Sequence, residues 1–394
     1  MPTQEATHRQ VDQSLVDRAQ EIVPMVREAA DRIESDRRLP RELVDTLRDA
    51  GFFRLYLPRA LGGLEANPFT LLAVVGAFAS VDASTAWCVN VANQAAWLVS
   101  NLPAGPAREF IGPDSILLTS ASPSGPLGTA TPVDGGYRVN GRWSFASGSP
   151  HATIFHALCV VPGASEPPAL PVTRYVFLPP DDCHVLDTWQ TMGLRGTGSH
   201  DFEVRDVFVP AKYSFETASA KPQYPGPLYR FPFIRFAGRG TLALGVARRA
   251  LDAFIELAAT KQGMGTTAPL RQQEHVQVSL AGAEASWRSA RAWLIDSLGD
   301  VWDVLSAGDT PSRDAVMSFV LAVGHAVNTS LEVTQQIFTL GGSTSNKTAW
   351  ALDRCLRDLH AAATDVTVGR VPLAAAGREL LGEGSPAPWF QVHA

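Results

Sequence analysis

The feature that most constrains the fold of this chain is a double change of texture: helical periodicity, then short β-like runs, then helical periodicity again. From Asp12 to about Asn101, apolar residues recur at three- and four-residue spacing through Val16, Ile22, Val23, Val26 and Ala30, then Leu43, Leu47 and Phe52. Pro40 opens the second helix, Gly51 stands where it should stop, and the turn-rich segment Leu57 to Gly63 precedes an apolar helix beginning near Pro68. Between roughly Ile116 and Phe215 the runs shorten around turn signals such as Asp134-Gly135-Gly136. Tyr137 to Val139 leads through Asn140-Gly141 into Arg142 to Phe145, a hairpin signal, and Ile154 to Val161 and Tyr175 to Leu178 read as buried strands. After Pro232 the helical period returns in Ala- and Leu-rich stretches: Leu242 to Lys261, Val276 to Leu298, and Ala315 to Leu340. The expectation is a mainly α protein with a central β-domain: helices over 1–115, strands over 116–228 and a helical bundle over 229–394.

With 45% of its 394 residues hydrophobic, the chain can bury a large core. A net charge of -6 and the lack of any Lys/Arg-rich block argue against nucleic acid as a partner. Met1 to Gln20 lacks the apolar core of a signal peptide, and no stretch reads as long enough and apolar enough to span a bilayer, so a cytoplasmic protein without membrane attachment is expected. Cys88, Cys159, Cys183 and Cys355 lie far apart, with neither a CxxC pair nor metal-ligand spacing to histidines. Buried free thiols and no metal site follow.

Five segments carry a more specific signal: Gly51-Phe52-Phe53 to Gly62-Gly63, Gly141 to Gly148 (GRWSFASG), Met192 to Ser199 (MGLRGTGS), Val207-Phe208-Val209-Pro210, and Arg354-Cys355-Leu356-Arg357-Asp358. In their order and spacing the chain resembles the acyl-CoA dehydrogenase superfamily over nearly its whole length. The resemblance implies an N-terminal helical domain, a middle β-barrel or sandwich and a C-terminal four-helix bundle, with flavin between the last two. It makes Phe145 and Ser147 flavin contacts, which suits an aromatic wall beside a hydroxyl able to hydrogen-bond the ring system. Spacing alone favours a plain hairpin whose serine bonds to backbone. By the same resemblance Arg195, Thr197 and Ser199 line or brace the site, a structural salt bridge being the alternative for Arg195. Gly341-Gly342-Ser343-Thr344-Ser345 resembles the loop by which a neighbouring subunit touches the flavin, implying a homotetramer; a glycine helix stop is the alternative.

Dehydrogenases of this superfamily take a thioester's α-proton with a carboxylate, carried in many members shortly after the Arg-Asp pair. Here Val366 stands at that position. The string Arg357-Asp358-Leu359-His360-Ala361-Ala362, and Trp87 in Ser84-Thr85-Ala86-Trp87, resemble instead the hydroxylase branch of two-component flavin monooxygenases, supplied with reduced flavin by a separate reductase. The implied chemistry is binding of reduced FAD or FMN, addition of O2 at C4a, and transfer of the hydroperoxide's terminal oxygen to a small aromatic or secondary-metabolite substrate in a pocket that excludes water. Hydroxylation and N- or S-oxygenation both fit. Trp87, Gln94, Trp97 and Phe236 are candidate pocket walls, with helix core as the alternative, and the Pro-rich loops Ser165 to Pro171 and Lys221 to Pro227 are candidates to gate access.

Two histidines frequent in that branch are missing, one where Asp365 stands and one near Gln94 and Ala95. Asp365 in an apolar pocket would be a desolvated carboxylate able to accept a proton; a helix-end cap is the alternative. Ser147 and His151 complete the catalytic candidates, His151 for its closeness in sequence to Ser147, against a packed imidazole. The competing function is a flavin dehydrogenase or oxidase using a carboxylate base, and a flavin-free scaffold is the third.

Overall fold

Asp12 caps the first long helix, α1 (Gln13–Asp36), its carboxylate accepting from the backbone N–H groups of Ser14 and Leu15, and Leu15, Ala19, Ile22, Val26 and Ile33 lie on its buried side. Residues 8–112, 115, 117–120, 127–263, 265, 267–385 and 392–393 of this computed structural model are described, except 165–170. Most of the Ser165 to Pro171 loop therefore lies outside the described residues, as does the start of the Met1 to Gln20 segment. Helix α2 (Arg41–Asp49) follows Pro40 and ends before Gly51, whose φ of 84° turns the chain in a conformation that favours glycine. Asn67 caps α3 (Pro68–Ala79), Asp82 caps α4 (Ala83–Val99), and α5 (Ala104–Phe110) ends the N-terminal helices. Every residue of α4 is buried. A helix without a polar face belongs in an interior, and α4 packs between the sheet and the C-terminal helices.

Eight strands follow: β1 (Leu117–Ser120), β2 (Gly128–Val133), β3 (Gly136–Ala146), β4 (Ile154–Val160), β5 (Thr173–Leu178), β6 (His184–Leu186), β7 (His200–Pro210) and β8 (Ser214–Glu216). They form one sheet in the order β6-β7-β3-β2-β4-β5-β8, with β1 also paired to β4. Both β1 and β2 run parallel to β4, and the other pairs are antiparallel. Val139, Trp143, Phe155, Val176, Phe202 and Val204 form the core of this layer.

The structure corrects one sequence expectation here. Asn140-Gly141 is not a hairpin turn, because β3 runs through it; the turn lies at Asp134-Gly135, where Gly135 has φ 74°. The register of β3 against β7 shifts between Val139 and Gly141, and Asn140 Oδ1 accepts from Asp206 N at 2.7 Å. Gly141 serves close packing: a Cβ there would lie 2.6 Å from Gly128 Cα and 2.8 Å from the Trp143 ring.

The C-terminal helices are α6 (Ala237–Thr260), α7 (Glu274–Ser306), α8 (Arg313–Leu340), α9 (Leu352–Ala363) and α10 (Arg370–Leu380). Helix α8 packs on the other four. Contrary to expectation, its length and apolarity suffice to cross a membrane; 67% of its apolar window is buried, as its central place in the bundle requires. Small residues allow close crossings: a Cβ on Gly240 would lie 2.8 Å from Leu294, and one on Gly245 would lie 2.6 Å from Ala79.

Candidate active site

A cavity of about 910 Å³ opens where α4, the sheet and the C-terminal helices meet. Helix α4 contributes Trp87, Gln94 and Trp97; the end of β3 contributes Phe145 and Ser147; and the segment from Trp189 to Ser199 supplies the adjoining wall. Opposite lie Arg235, Phe236 and Arg239 at the start of α6, and His360 to Thr367 at the end of α9.

On the sheet side, a chain of hydrogen bonds has a fixed direction. Trp87 Nε1 donates to Ser147 Oγ at 3.0 Å, Ser147 and Ser199 hydroxyls lie 2.7 Å apart, Ser199 and Thr197 hydroxyls lie 2.6 Å apart, and Thr197 Oγ1 donates to Leu194 O at 2.8 Å. Each hydroxyl has one proton, so Thr197's commitment to a carbonyl makes Ser199 donate to Thr197 and Ser147 donate to Ser199. Ser147 keeps a free lone pair and no free proton. Beside it, Phe145 has φ 65°, a strained conformation for an aromatic residue, and is 53% exposed, with the Trp189 ring edge-on to its own at 6.1 Å.

The bundle side is charged. Arg239 pairs with Asp365 Oδ2 at 3.0 Å, donates to Gln94 Oε1 at 3.3 Å, and lies over the Trp87 ring at 3.9 Å. Burial holds its pKa below the ordinary guanidinium value, with Asp365 acting in the opposite direction. Asp365 Oδ1 accepts from Thr367 N at 2.8 Å and Thr367 Oγ1 at 2.5 Å. Arg239 Nε and Nη1 and Gln94 Nε2 are buried donors without an acceptor among the described residues.

The glycine-rich wall is clamped from α9. Asp358 Oδ1 accepts from Leu194 N at 2.7 Å, and Arg357 Nη1 donates to Met192 O at 2.5 Å and to Glu34 at 2.9 Å. Gly193 is required at this contact, since its Cβ would lie 2.0 Å from Arg357 O. Burial pushes the Asp358 carboxyl up to about 7.

The acyl-CoA dehydrogenase N-terminal domain family matches residues 5–102, and the C-terminal domain family matches residues 237–368. An indole-3-acetate monooxygenase from Pseudomonas putida is 31% identical over 361 residues, covering 91% of this chain and 90% of that protein. The oxygenase subunit HsaA of a flavin-dependent monooxygenase from Rhodococcus jostii is 31% identical over 356 residues, covering 86% and 91%. The crystal structure of a 3-HSA hydroxylase from Rhodococcus sp. RHA1 matches with TM-score 0.86 at 25% identity over 95% of this chain and 98% of that one.

The chain belongs to the acyl-CoA dehydrogenase superfamily, in its flavin-dependent monooxygenase branch.

In this monooxygenase, Phe145, Ser147, Ser199, Trp87, Gln94, Trp97, Phe236 and Asp365 share one cavity, and Thr197 stands behind Ser199. Four other residues selected from sequence do not line it. His151 is turned toward the segment before α2, where burial, Arg38 and Arg41 hold its imidazole down to about 4; it is a packed neutral side chain, which corrects the catalytic expectation. Arg195 donates to Thr191 O at 2.9 Å and lies 3.6 Å from Glu34, so it braces the turn and is not among the described residues lining this chain's cavity. Gly341 and Gly342 follow α8, where Lys261 Nζ donates to Gly341 O at 2.5 Å, outside this chain's own cavity. Asp365 lines the cavity as expected, and there it is a paired carboxylate with both oxygens engaged, by Arg239 and by Thr367.

Arg239 was not selected from the sequence, nor were Arg235, Tyr175 and Trp189. The available signal was two arginines four residues apart at the entry to an apolar helix, a spacing that puts both on one face.

Proposed function

We propose that this monooxygenase is the oxygenase component of a two-component system, taking reduced FAD or FMN from a separate reductase and using O2 to oxygenate an electron-rich aromatic compound. The observation that carries this reading is the directed chain ending at Ser147. Its remaining lone pair is an acceptor, and the N5–H of reduced flavin is a donor that oxidised flavin lacks. The residues fit the cofactor in a further respect: the exposed Phe145 offers a flat apolar platform. Bound reduced flavin supplies the two electrons that activate O2. The protein supplies position, a dry apolar enclosure and donors that favour negative charge developing on oxygen.

Substrate class finds support among the relatives, whose names include an indole-3-acetate monooxygenase and an FADH(2)-dependent resorcinol hydroxylase. Both names specify aromatic compounds. The dehydrogenase reading has little support in the cavity. Among its described lining residues Asp365 is the one carboxylate, and Arg239 and Thr367 occupy its oxygens. A cytoplasmic homotetramer, with Gly341-Gly342 reaching a neighbour's flavin, belongs to the same proposal.

Anaerobic titration with reduced and oxidised FAD and FMN tests the cofactor assignment. Tighter binding of the reduced form is expected, and oxygen-dependent conversion of indole-3-acetate or resorcinol should require a flavin reductase and NADH. Preference for oxidised flavin, or reduction of bound flavin by an acyl-CoA, contradicts the reading.

A further inference from the structure

The cavity holds a charge that the proposed function does not use. Its described lining includes two guanidinium groups, Arg235 and Arg239, and one carboxylate, Asp365. Asp365 is committed to Arg239 at 3.0 Å. Arg235 has no side-chain hydrogen bond and no ion pair among the described residues, and lies over the rings of Trp97 at 4.9 Å and Phe236 at 4.8 Å. Such stacking fixes the group in place without neutralising its charge. A chain with net charge -6 thus keeps an uncompensated cation in a largely apolar chamber.

Arg235 is half-buried in the cavity wall, and the burial it has opposes the charged form, so a partner for its charge would be favourable. Where the protein provides no partner, an anionic ligand can. A guanidinium presents parallel N–H donors that match both oxygens of a carboxylate, and Trp97, Phe236 and Phe215 provide an apolar surround for an adjoining ring. Position separates this end of the cavity from the Ser147 end. Trp97, under Arg235, is ten residues along α4 from Trp87, which bonds Ser147, and ten residues of helix span about 15 Å.

We propose that Arg235 binds the carboxylate of the substrate, so that aromatic carboxylic acids are preferred to neutral phenols. The word substrate rests on the monooxygenase reading; the anion site itself does not.

Calorimetric titration of the full-length protein with matched acids and amides tests the site without turnover: phenylacetate against phenylacetamide, and indole-3-acetate against indole-3-acetamide. The acids are expected to bind about 30-fold more tightly, the scale of a charge-assisted bidentate contact. Arg235→Gln should remove that preference, and Arg235→Lys, which keeps the charge, should restore part of it. Equal binding of acid and amide, no acid binding, or an acid preference that survives Arg235→Gln overturns the proposal. So does an Arg235→Gln variant that loses affinity for reduced FMN but not for the acids, which would assign the cation to the flavin phosphate. Oxygenation of neutral aromatics with no acid preference would leave the monooxygenase reading standing alone. Arg235-dependent acid binding without oxygenation of any aromatic would do the reverse.

Discussion

On the sheet side of the cavity every polar group from Trp87 to Leu194 has a hydrogen-bond partner, whereas on the bundle side Arg239 keeps two N–H groups, and Gln94 one, without an acceptor among the described residues. The sheet side is neutral and directional. The bundle side is ionic and incomplete. The contrast separates two ways of preparing a site: hydroxyls whose proton order is fixed in advance present a defined acceptor, while a buried ion pair with donors left unsatisfied inside the wall holds fixed charge beside the cavity.

The largest expected effect comes from breaking the ionic side. Arg239→Met leaves Asp365 mostly buried without its cation and should cost about 3–5 kcal/mol, read by urea denaturation. The double variant Arg239→Met/Asp365→Asn should recover most of that loss, which separates charge pairing from shape. An equally large loss in the double variant would assign the effect to packing of the Arg239 stem on Trp87.

The clamp that shapes the sheet side predicts a pH effect. Asp358 has its carboxyl raised to about 7 from a model-peptide value of 3.8, so the folded protein holds a proton that the unfolded chain releases. Its favourable contribution is complete below about 4 and is lost as pH rises through about 7. Between pH 5 and pH 8, melting temperatures of the wild-type protein should fall more than those of Asp358→Asn. Parallel profiles would remove Asp358 as the titrating group.

A smaller effect is expected from Ser147→Ala, which removes the acceptor facing the cavity and the partner of Trp87 Nε1. Affinity for reduced flavin should fall about tenfold, as for a lost hydrogen bond, with little change for oxidised flavin. An equal loss for both forms would make Ser147 a packing residue and end the contrast between the walls. At the small end, His151→Asn should leave kcat/KM within about twofold, since residues away from the site change it little; a large loss would restore His151 to the catalytic machinery.

Much of the fold was legible because periodicity and caps report local preferences: Pro40, Gly51 and Pro68 mark helix boundaries in sequence and in the structure. Asn140-Gly141 misled because a bulge uses the same residues as a turn, and the need for Gly141 comes from Gly128 and Trp143 across the sheet. Phe145, Ser147, Ser199 and Asp365 were legible through resemblance. Arg239 was not, because its role exists only where α6 meets α4 and the end of α9. His151 failed for the converse reason: closeness to Ser147 in sequence says little after a strand ends, and the turn at Ser149–His151 carries the imidazole elsewhere.

The central claim is that this protein binds reduced flavin and directs its reaction with O2. Its most direct test is to mix the protein anaerobically with reduced FAD or FMN, add O2 rapidly, and record absorbance from the near-ultraviolet through the visible. The account predicts a transient band distinct from both reduced and oxidised flavin, shorter-lived in Ser147→Ala. Direct conversion to oxidised flavin at the rate seen without protein would contradict it.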